Sequence, residues 1–232
     1  MSRITRKELK TYQVALQVEH GISFFEHHTR EFGRYAGIAA GVVILVLGYS
    51  YYQRSEHAKR QAELAAAILV QEAGVGASGN GGLAFPTQEA KDAESIKAFS
   101  QLQTKYSGSD EAHVAQYYLG SIKADQGKLA EAEKNYLDAS QKGDAAYASL
   151  AKLALAQIYF SDGRADQGEK TLRDLIANPT IFVSKEQATI TLARFLAPRK
   201  PAEARKLLEP LRTVPGAVSQ VAISLIGEIG GQ

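Results

Sequence analysis

YLGSIKADQGKLAEAEKNYLDA, residues 118–139, has a second version further along the chain, LAQIYFSDGRADQGEKTLRDL, residues 155–175. The counterparts stand 36 residues apart, as in Leu119 and Leu155, Gly127 and Gly163, Ala132 and Gly168, and Tyr136 and Leu172. Apolar and small residues at helical spacing on both sides of a glycine predict a helix, a turn and a second helix in each version. The period therefore indicates stacked helical repeats.

Both units resemble the tetratricopeptide repeat. The first has Leu119, Gly120, Gly127, Ala132, Tyr136 and Ala139 at the repeat's characteristic positions, and the second has Leu155, Ala156, Tyr159, Gly163, Gly168, Leu172 and Leu175. Small residues let two helices cross closely, large ones fill the groove beside the crossing, and glycine permits the tight turn. Both units depart from the repeat where it has a large aromatic residue early in the first helix, because Gln116 and Lys152 stand there.

Partial units flank these two. Residues 95–110 resemble the second helix of a preceding unit whose first helix is residues 55–73, and residues 185–216 resemble a following unit with Pro201 at the start of its second helix. Residues 217–229 are apolar enough to form a closing helix. The sequence therefore predicts an all-α fold with a tetratricopeptide-repeat solenoid of three to four units over residues 88–232.

One segment differs from the rest of the chain in polarity. Residues 36–52 carry no charge and end with Tyr49, Tyr51 and Tyr52; Arg34 and Tyr35 precede them and Arg54 follows. Aromatic rings and arginines at both ends are typical of a membrane span, whereas a buried core helix is the alternative. We expect a single transmembrane helix over 36–52, an uncleaved signal anchor, with an amphipathic cytoplasmic segment (1–35) before it and a linker helix with a glycine-rich loop (53–87) after it.

The orientation of this span depends on which charges are counted. Close to the span, two Lys/Arg precede it and three follow, but the first 35 residues contain six in all. The larger count favours a cytoplasmic N-terminus and a repeat domain on the far side of the membrane. On one side of the helix, Gly33, Gly37 and Gly41 form a small-xxx-small pattern that suits packing against a partner helix, although glycine is also common in membrane helices.

Several classes of function find no support in the sequence. Outside the first 35 residues the chain balances 21 basic and 21 acidic residues, which argues against nucleic-acid binding. It has no cysteine and no recognisable nucleophile, phosphate-binding or HExxH motif. His20, His27 and His28 lie near two glutamates, but their helical spacing makes convergence on one ion awkward. We therefore expect no catalytic residue, no metal and no cofactor.

The repeat pattern also predicts a binding groove, because the first helices of stacked units line the concave surface. The predicted groove residues are Tyr117, Ser121, Ala124, Leu150, Leu153, Gln157 and Phe160. Their largely apolar character suits an amphipathic helix or an extended peptide. In an alternative arrangement, the closing helix or the linker helix fills this groove.

Together with the run RITRKELK at residues 3–10, this architecture resembles the bacterial YfgM-like family of ancillary Sec translocon subunits. The resemblance implies a non-enzymatic adaptor in the bacterial inner membrane that associates with the translocon and binds periplasmic chaperones or emerging chains. Two alternatives remain: a scaffold for another envelope-assembly or cell-division complex, and a self-associating membrane protein.

Overall fold

The computed structural model describes residues 6–76 and 82–230, and their side chains at 34, 35, 37–76 and 82–230. Almost all of these residues are helical, as the repeat pattern predicts. The helices are α1 (Arg6–Gln71), α2 (Gln88–Lys105), α3 (Asp110–Asp125), α4 (Leu129–Lys142), α5 (Ala145–Ser161), α6 (Ala165–Ala177), α7 (Lys185–Leu196), α8 (Pro201–Leu208) and α9 (Ala217–Gly230), with a 3₁₀ helix at Glu209–Thr213.

The chain divides into two compact units between Ala58 and Lys59. In the first unit, the following large apolar side chains among the described residues of α1 are exposed: Ile38, Val42, Val43, Ile44, Leu45, Val46 and Leu47. Across the part of the chain that the structure describes, no helical stretch is both long and apolar enough to cross a membrane. The membrane span expected at 36–52 is therefore not confirmed.

The glycine-rich connector contains a small element that the all-α prediction omits. Gly74–Val75 (β1) and Ala84–Phe85 (β2) pair as two short parallel strands. Gly74 N–H donates to the Leu83 carbonyl and Gly76 N–H to that of Phe85. The two ends of the loop are thus joined by backbone hydrogen bonds, while residues 77–81 between them lie outside the description.

The second unit consists of successive helix pairs, α3/α4, α5/α6 and α7/α8, in which each helix packs against the next. Gly127 and Gly163 occupy the turns of the first two pairs with φ of +73° and +77°, a conformation that glycine adopts without a steric cost. The first helix of each pair begins with a side-chain cap. These caps are Ser109, Asp144 and Ser184, whose oxygens accept backbone N–H groups of the first turn.

The crossings of the first two pairs depend on glycine. In α3/α4, a Cβ at Gly120 would lie 2.8 Å from the Tyr136 ring, and in α5/α6 one at Gly168 would lie 2.6 Å from the Phe160 ring. Ala132, at the predicted crossing position of the first pair, is fully buried. The small residues Gly120, Ala132 and Gly168 lie at the crossings, as predicted, but the large residue that packs on Gly168 is Phe160, a predicted groove residue.

Three clusters of buried apolar residues run along the repeats. An N-terminal cluster joins Leu64 of α1 to α2 and α3, and a central cluster lies between α3, α4 and α5. A C-terminal cluster joins α5 and α6 to α7, α8 and α9. Because each cluster draws on adjacent pairs, the core is continuous from one pair to the next, as in a solenoid.

Ion pairs repeat along the same period. Arg164, in the turn of the second pair, donates through both terminal nitrogens to Glu133 of the first pair at 2.7 Å. Thirty-six residues on, Lys200 donates to Glu169 at 3.0 Å. Each pair is thereby linked to the next by a carboxylate on its second helix and a cation in the following turn.

Candidate functional site

Four aromatic side chains form a continuous row across three helical pairs. Tyr117 and Tyr118 lie on α3, Tyr147 lies in the first turn of α5, and Phe182 precedes α7. Ring centroids are 5.8 Å apart between Tyr117 and Tyr147 and 5.3 Å apart between Tyr147 and Phe182, with edge-on geometry in both contacts. We refer to these four residues as the aromatic row.

Buried aromatic rings support the row from behind. Phe99 of α2 is fully buried and stacks on Tyr118 with centroids 4.8 Å apart. Tyr136 of α4 is almost fully buried, with its ring centroid 5.8 Å from that of Tyr117. Because the supporting rings belong to the core, Tyr117 and Tyr118 are packed against the core on one side.

The phenols of Tyr117, Tyr118 and Tyr136 stay protonated at neutral pH. Burial raises the pKa of Tyr118 well above its ordinary range, and a hydrogen bond with Tyr147 raises it further. Burial, followed by the neighbouring Tyr117, raises the pKa of Tyr136 to about 12, although a hydrogen bond with Ser121 opposes the rise. Burial also raises the pKa of Tyr117. The phenols therefore offer ring faces and neutral O–H groups, without charge.

The row ends at an exposed apolar tip in the loop between α6 and α7. Ile181 is 88% exposed and Phe182 is 42% exposed. The loop is held in place by Thr180, whose hydroxyl accepts the Val183 N–H at 3.1 Å and lies 2.6 Å from the Ser149 hydroxyl. Val183 itself is fully buried. Two large apolar side chains are thus presented to solvent by a loop with its own anchors.

This arrangement can hold apolar and aromatic side chains of another protein. Ring faces and edges supply contact area at a low cost in conformational entropy, and the protonated phenols can donate hydrogen bonds. An amphipathic helix or an extended peptide offers complementary groups.

The structure separates the seven predicted groove residues into two groups. Tyr117 belongs to the aromatic row, Ser121 bonds to Tyr136 behind it, and Ala124 packs against the central cluster. Leu150, Leu153 and Phe160 instead pack against the C-terminal cluster. Gln157 is exposed. The binding role of all seven stays a prediction.

Phe160 is largely committed to contacts within the domain. Its ring stacks on Phe195 of α7 with centroids 4.0 Å apart, and it covers Gly168. The expected closing helix is present as α9, which packs on α7, α8 and the 3₁₀ helix. Five of its apolar residues join the C-terminal cluster, namely the fully buried Ala222 and the partly buried Val218, Leu225, Ile226 and Ile229. The apolar side chains of α5 are thus covered in part by the domain's own C-terminal helices.

Sequence reasoning missed three residues of the row, namely Tyr118 beside Tyr117 on α3, and Tyr147 and Phe182, which extend the row beyond α3. Tyr147 stands 36 residues after Glu111, so the repeat offered no aromatic counterpart to compare. Phe182 lies in a loop, where helical periodicity carries no information. The pair Ile181-Phe182, two large apolar residues between Pro179 and the cap Ser184, was the one available signal.

The predicted glycine face lies on α1. A Cβ added at Gly37 or Gly41 would meet no atom within 4 Å, so the described surface is open there. The surroundings of Gly33 and the side chains of His20, His27 and His28 lie outside the description. Among the residues whose side chains are described, no three or more His, Cys, Asp or Glu are grouped to hold a metal ion.

Comparison with known proteins agrees with the repeat architecture. A family model described as a tetratricopeptide repeat-like domain matches residues 27–210. No curated protein and no solved structure matches the chain. The family match covers most of the chain, including the first three helix pairs of the second unit, and the chain therefore belongs to the tetratricopeptide repeat-like domain family.

Proposed function

We propose that this chain is a membrane-anchored adaptor of the Sec translocon that binds a periplasmic chaperone or an emerging polypeptide through its repeats. A tetratricopeptide repeat-like domain in general indicates an adaptor for protein–protein interaction. The resemblance to the YfgM-like family supports the choice of translocon and the bacterial inner membrane. The proposal assigns no catalytic residue and no cofactor to the protein.

The observation that carries the proposal is the aromatic row with its exposed tip. Ile181 and Phe182 present apolar surface from an anchored loop, and the row continues from them to α3. Exposed apolar surface of this kind is commonly an interaction site. Emerging chains and chaperones both offer apolar segments that match it.

The proposed anchor is the apolar part of α1. Residues 36–52 carry no charge, and the described apolar side chains from Ile38 to Leu47 are exposed. Exposed large apolar residues on a helix are stabilised by lipid or by another apolar helix. We place the N-terminus in the cytoplasm and the repeats in the periplasm, because the first 35 residues contain six Lys/Arg.

Site-specific photo-crosslinking tests the binding surface. A benzoylphenylalanine residue in place of Phe182 should crosslink in cells to a translocon subunit, a chaperone or a secreted chain. The matched control is the same residue in place of Asp166, an exposed position in the first turn of α6. Equal crosslinking at both positions, or none at Phe182, would remove the aromatic row as the binding surface.

Cysteine labelling tests the topology, since the chain contains no cysteine. Ser2→Cys and Ser107→Cys variants are treated with a membrane-impermeant maleimide in intact spheroplasts. Ser107 is chosen because it is exposed, whereas the neighbouring Ser109 caps α3. Labelling only at position 107 is expected. Labelling only at position 2 would place the repeats in the cytoplasm and end the assignment to periplasmic partners.

Self-association is a second candidate, because the α1 surface at Gly37 and Gly41 is open. Close helix packing needs small residues, so Gly37→Ile with Gly41→Ile should abolish crosslinked dimers of the full chain. Ala39→Ile, on the opposite side of the same helix, is the control. Unchanged crosslinking in the glycine variant would exclude this candidate.

A further inference from the structure

A large cavity with several polar side chains lies between the end of α2 and the α3/α4 pair. Its volume is about 1010 Å³. Its polar lining comprises four carboxamides (Gln103, Gln116, Asn135 and Gln141), Ser107, His113 and four charged side chains (Glu133, Lys134, Asp138 and Lys142). None of these residues belongs to the aromatic row.

Two buried polar atoms at this cavity have no hydrogen-bond partner among the described residues. They are Oε1 of Gln116 and Nδ1 of His113, and each residue is only 8% exposed. The nearest carboxylate oxygen to His113 Nδ1 is Asp138 Oδ2 at 3.9 Å, which is too long for a hydrogen bond. Buried polar atoms normally have partners, so a donor-bearing group that enters the cavity would complete this site.

The second repeat shows how the same position is filled from within the chain. Lys152 stands 36 residues after Gln116, and Asp174 stands 36 residues after Asp138. Lys152 Nζ donates to Asp174 Oδ2 at 2.7 Å. The cavity at this place, which these two residues line, has a volume of about 460 Å³, less than half that of the first repeat.

The Oδ1 atoms of Asp138 and Asp174 also have partners at equivalent positions of the two repeats. Asp174 Oδ1 accepts from the Asn178 side chain, and Asp138 Oδ1 accepts from Lys142, which stands 36 residues before Asn178. The two repeats therefore differ at the Oδ2 atom of the aspartate. Asp174 Oδ2 accepts from the ammonium of Lys152, whereas Asp138 Oδ2 has no such donor because Gln116 stands at the position of Lys152.

We propose that this cavity binds the ammonium group of a lysine side chain from a protein partner, in the position that Lys152 occupies in the second repeat. An ammonium has three N–H donors and needs only acceptors. The cavity supplies Asp138 Oδ2, Gln116 Oε1 and, in the tautomer with its proton on Nε2, His113 Nδ1. This second docking site goes beyond the proposed function, because it uses no residue of the aromatic row.

Neighbouring charges limit the strength of this site. Glu133 is engaged by both terminal nitrogens of Arg164, and Lys142 already compensates one oxygen of Asp138. Lys134 also lines the cavity. Because these lysines repel a second ammonium, the neutral acceptors Gln116 and His113 provide much of the recognition. We expect roughly millimolar affinity for a single lysine side chain.

An NMR titration of the full chain in detergent micelles tests the site. The probe is Nα-acetyl-lysine methylamide, and the matched control probe is Nα-acetyl-norleucine methylamide, which has the aliphatic chain without the ammonium. The lysine probe should shift the side-chain amide signals of Gln116 and the backbone signal of Asp138 in a saturable way. Equal shifts with both probes, or none with the lysine probe, would overturn the proposal.

Two reciprocal variants use the repeat as its own control. Gln116→Lys supplies the missing ammonium from within the chain and should weaken binding of the lysine probe at least about tenfold. Lys152→Gln should create a second site that shifts the signal of Asp174. Undiminished binding in Gln116→Lys would exclude the cavity as the site.

A third variant tests the site even if Gln116→Lys does not fold. Gln116→Leu removes the carboxamide without adding charge, and it should also weaken binding; unchanged affinity would again overturn the proposal. Crosslinking from Phe182 should be unaffected in all three variants. Failure of this proposal is therefore distinguishable from failure of the proposed adaptor function.

Discussion

The first repeat (α3/α4) and the second (α5/α6) share a backbone pattern but place their bulk on opposite helices. In the first, Gly120 on the leading helix lies under Tyr136 of the following helix. In the second, Phe160 on the leading helix covers Gly168 of the following one. Close crossing thus depends on the sum of the two side-chain volumes, and either helix can supply the large residue.

The two repeats also differ in how they are attached to the preceding helices. In the first, the buried carboxylate of Glu111 accepts from Arg60 at 3.0 Å and from Gln61 at 2.9 Å, which ties α3 to the end of α1. The equivalent position of the second repeat holds Tyr147, which contacts α3 through the aromatic row. At this position the contact of the first repeat is electrostatic and that of the second is aromatic, so substitutions and pH should distinguish the two contacts.

The largest expected effect is the loss of the electrostatic attachment. Glu111→Ala should lower the free energy of unfolding by about 3 kcal/mol, because it leaves Arg60 and Gln61 without their buried acceptor. The side chain of Glu111 is only 2% exposed. Chemical denaturation measures the change, and Glu94→Ala, which removes an exposed ion pair with Lys97, is the control with an expected loss below about 1 kcal/mol.

The same attachment should weaken in acid. Burial by itself raises the pKa of Glu111, but its own backbone N–H, Arg60 and Gln61 outweigh burial and hold the pKa below the ordinary value of 4.5. A lowered pKa in the folded state gives stability that is present above pH 4.5 and is lost as the pH falls through the folded-state pKa. Between about pH 5 and 2, the Glu111→Ala variant should lose less stability than the native chain; parallel pH profiles would contradict this attachment.

A smaller effect is expected at the crossings. Gly168→Ala should cost about 1 to 2 kcal/mol, because its Cβ would press on Phe160 and on the Ala156 carbonyl. Phe160→Leu in the same chain should recover part of this loss. A double-mutant cycle by thermal or chemical denaturation measures the coupling, and additive effects would show that the two residues do not share the crossing.

The loop that presents Phe182 should respond more weakly still. Thr180→Val removes the hydroxyl that accepts the Val183 N–H and contacts Ser149, at a cost of about 1 kcal/mol. Amide exchange of Phe182 and Val183 should accelerate, while that of the first repeat should not change. Thr171→Val is the control, since the Thr171 hydroxyl is exposed and donates to the Gln167 carbonyl within α6.

The smallest expected effect concerns the ion pairs between repeats. A hydrogen bond from Arg164 lowers the pKa of Glu133, and one from Arg173 followed by one from Lys200 lowers that of Glu169. Both contributions are present above pH 4.5 and lost below it. Glu133→Gln should flatten the acid limb of the stability profile only slightly, because such partly exposed pairs are screened. Calorimetry across this range measures the change, and a steeper limb in the variant would contradict it.

The features that the sequence predicts correctly depend on residues close to one another in the chain. The 36-residue offset, the glycine turns and the small residues at the crossings follow from short-range patterns, and the structure has each of them. The direction of the α5 side chains is harder, because this helix is apolar on most of its surface and periodicity does not identify one inner face. Leu150, Leu153 and Phe160 accordingly pack on the C-terminal cluster.

Contacts between residues that are far apart in the chain could not be predicted from the sequence. Arg60 and Glu111 are 51 residues apart, and each reads as an ordinary surface charge by itself. The sequence identifies Gln116 and Lys152 as departures from the repeat. The cavity at Gln116, however, also depends on Asp138 of α4, and the ion pair of Lys152 depends on Asp174 of α6. Such tertiary pairing has no signature in a single sequence.

The opposite placement of bulk at the two crossings limits how this domain can grow by gene duplication. A copy of residues 110–145 would carry Gly120 together with Tyr136, and a new unit could be inserted without a clash. A copy of residues 129–164 has the same length but sets Phe160 against Ala132 and Tyr136 against Ala156 at the one new crossing, which would be overfilled at both contacts. Duplication of one matched helix pair therefore preserves the packing of the crossing. Recombination that divides a pair would produce an overpacked, destabilised crossing and would be selected against.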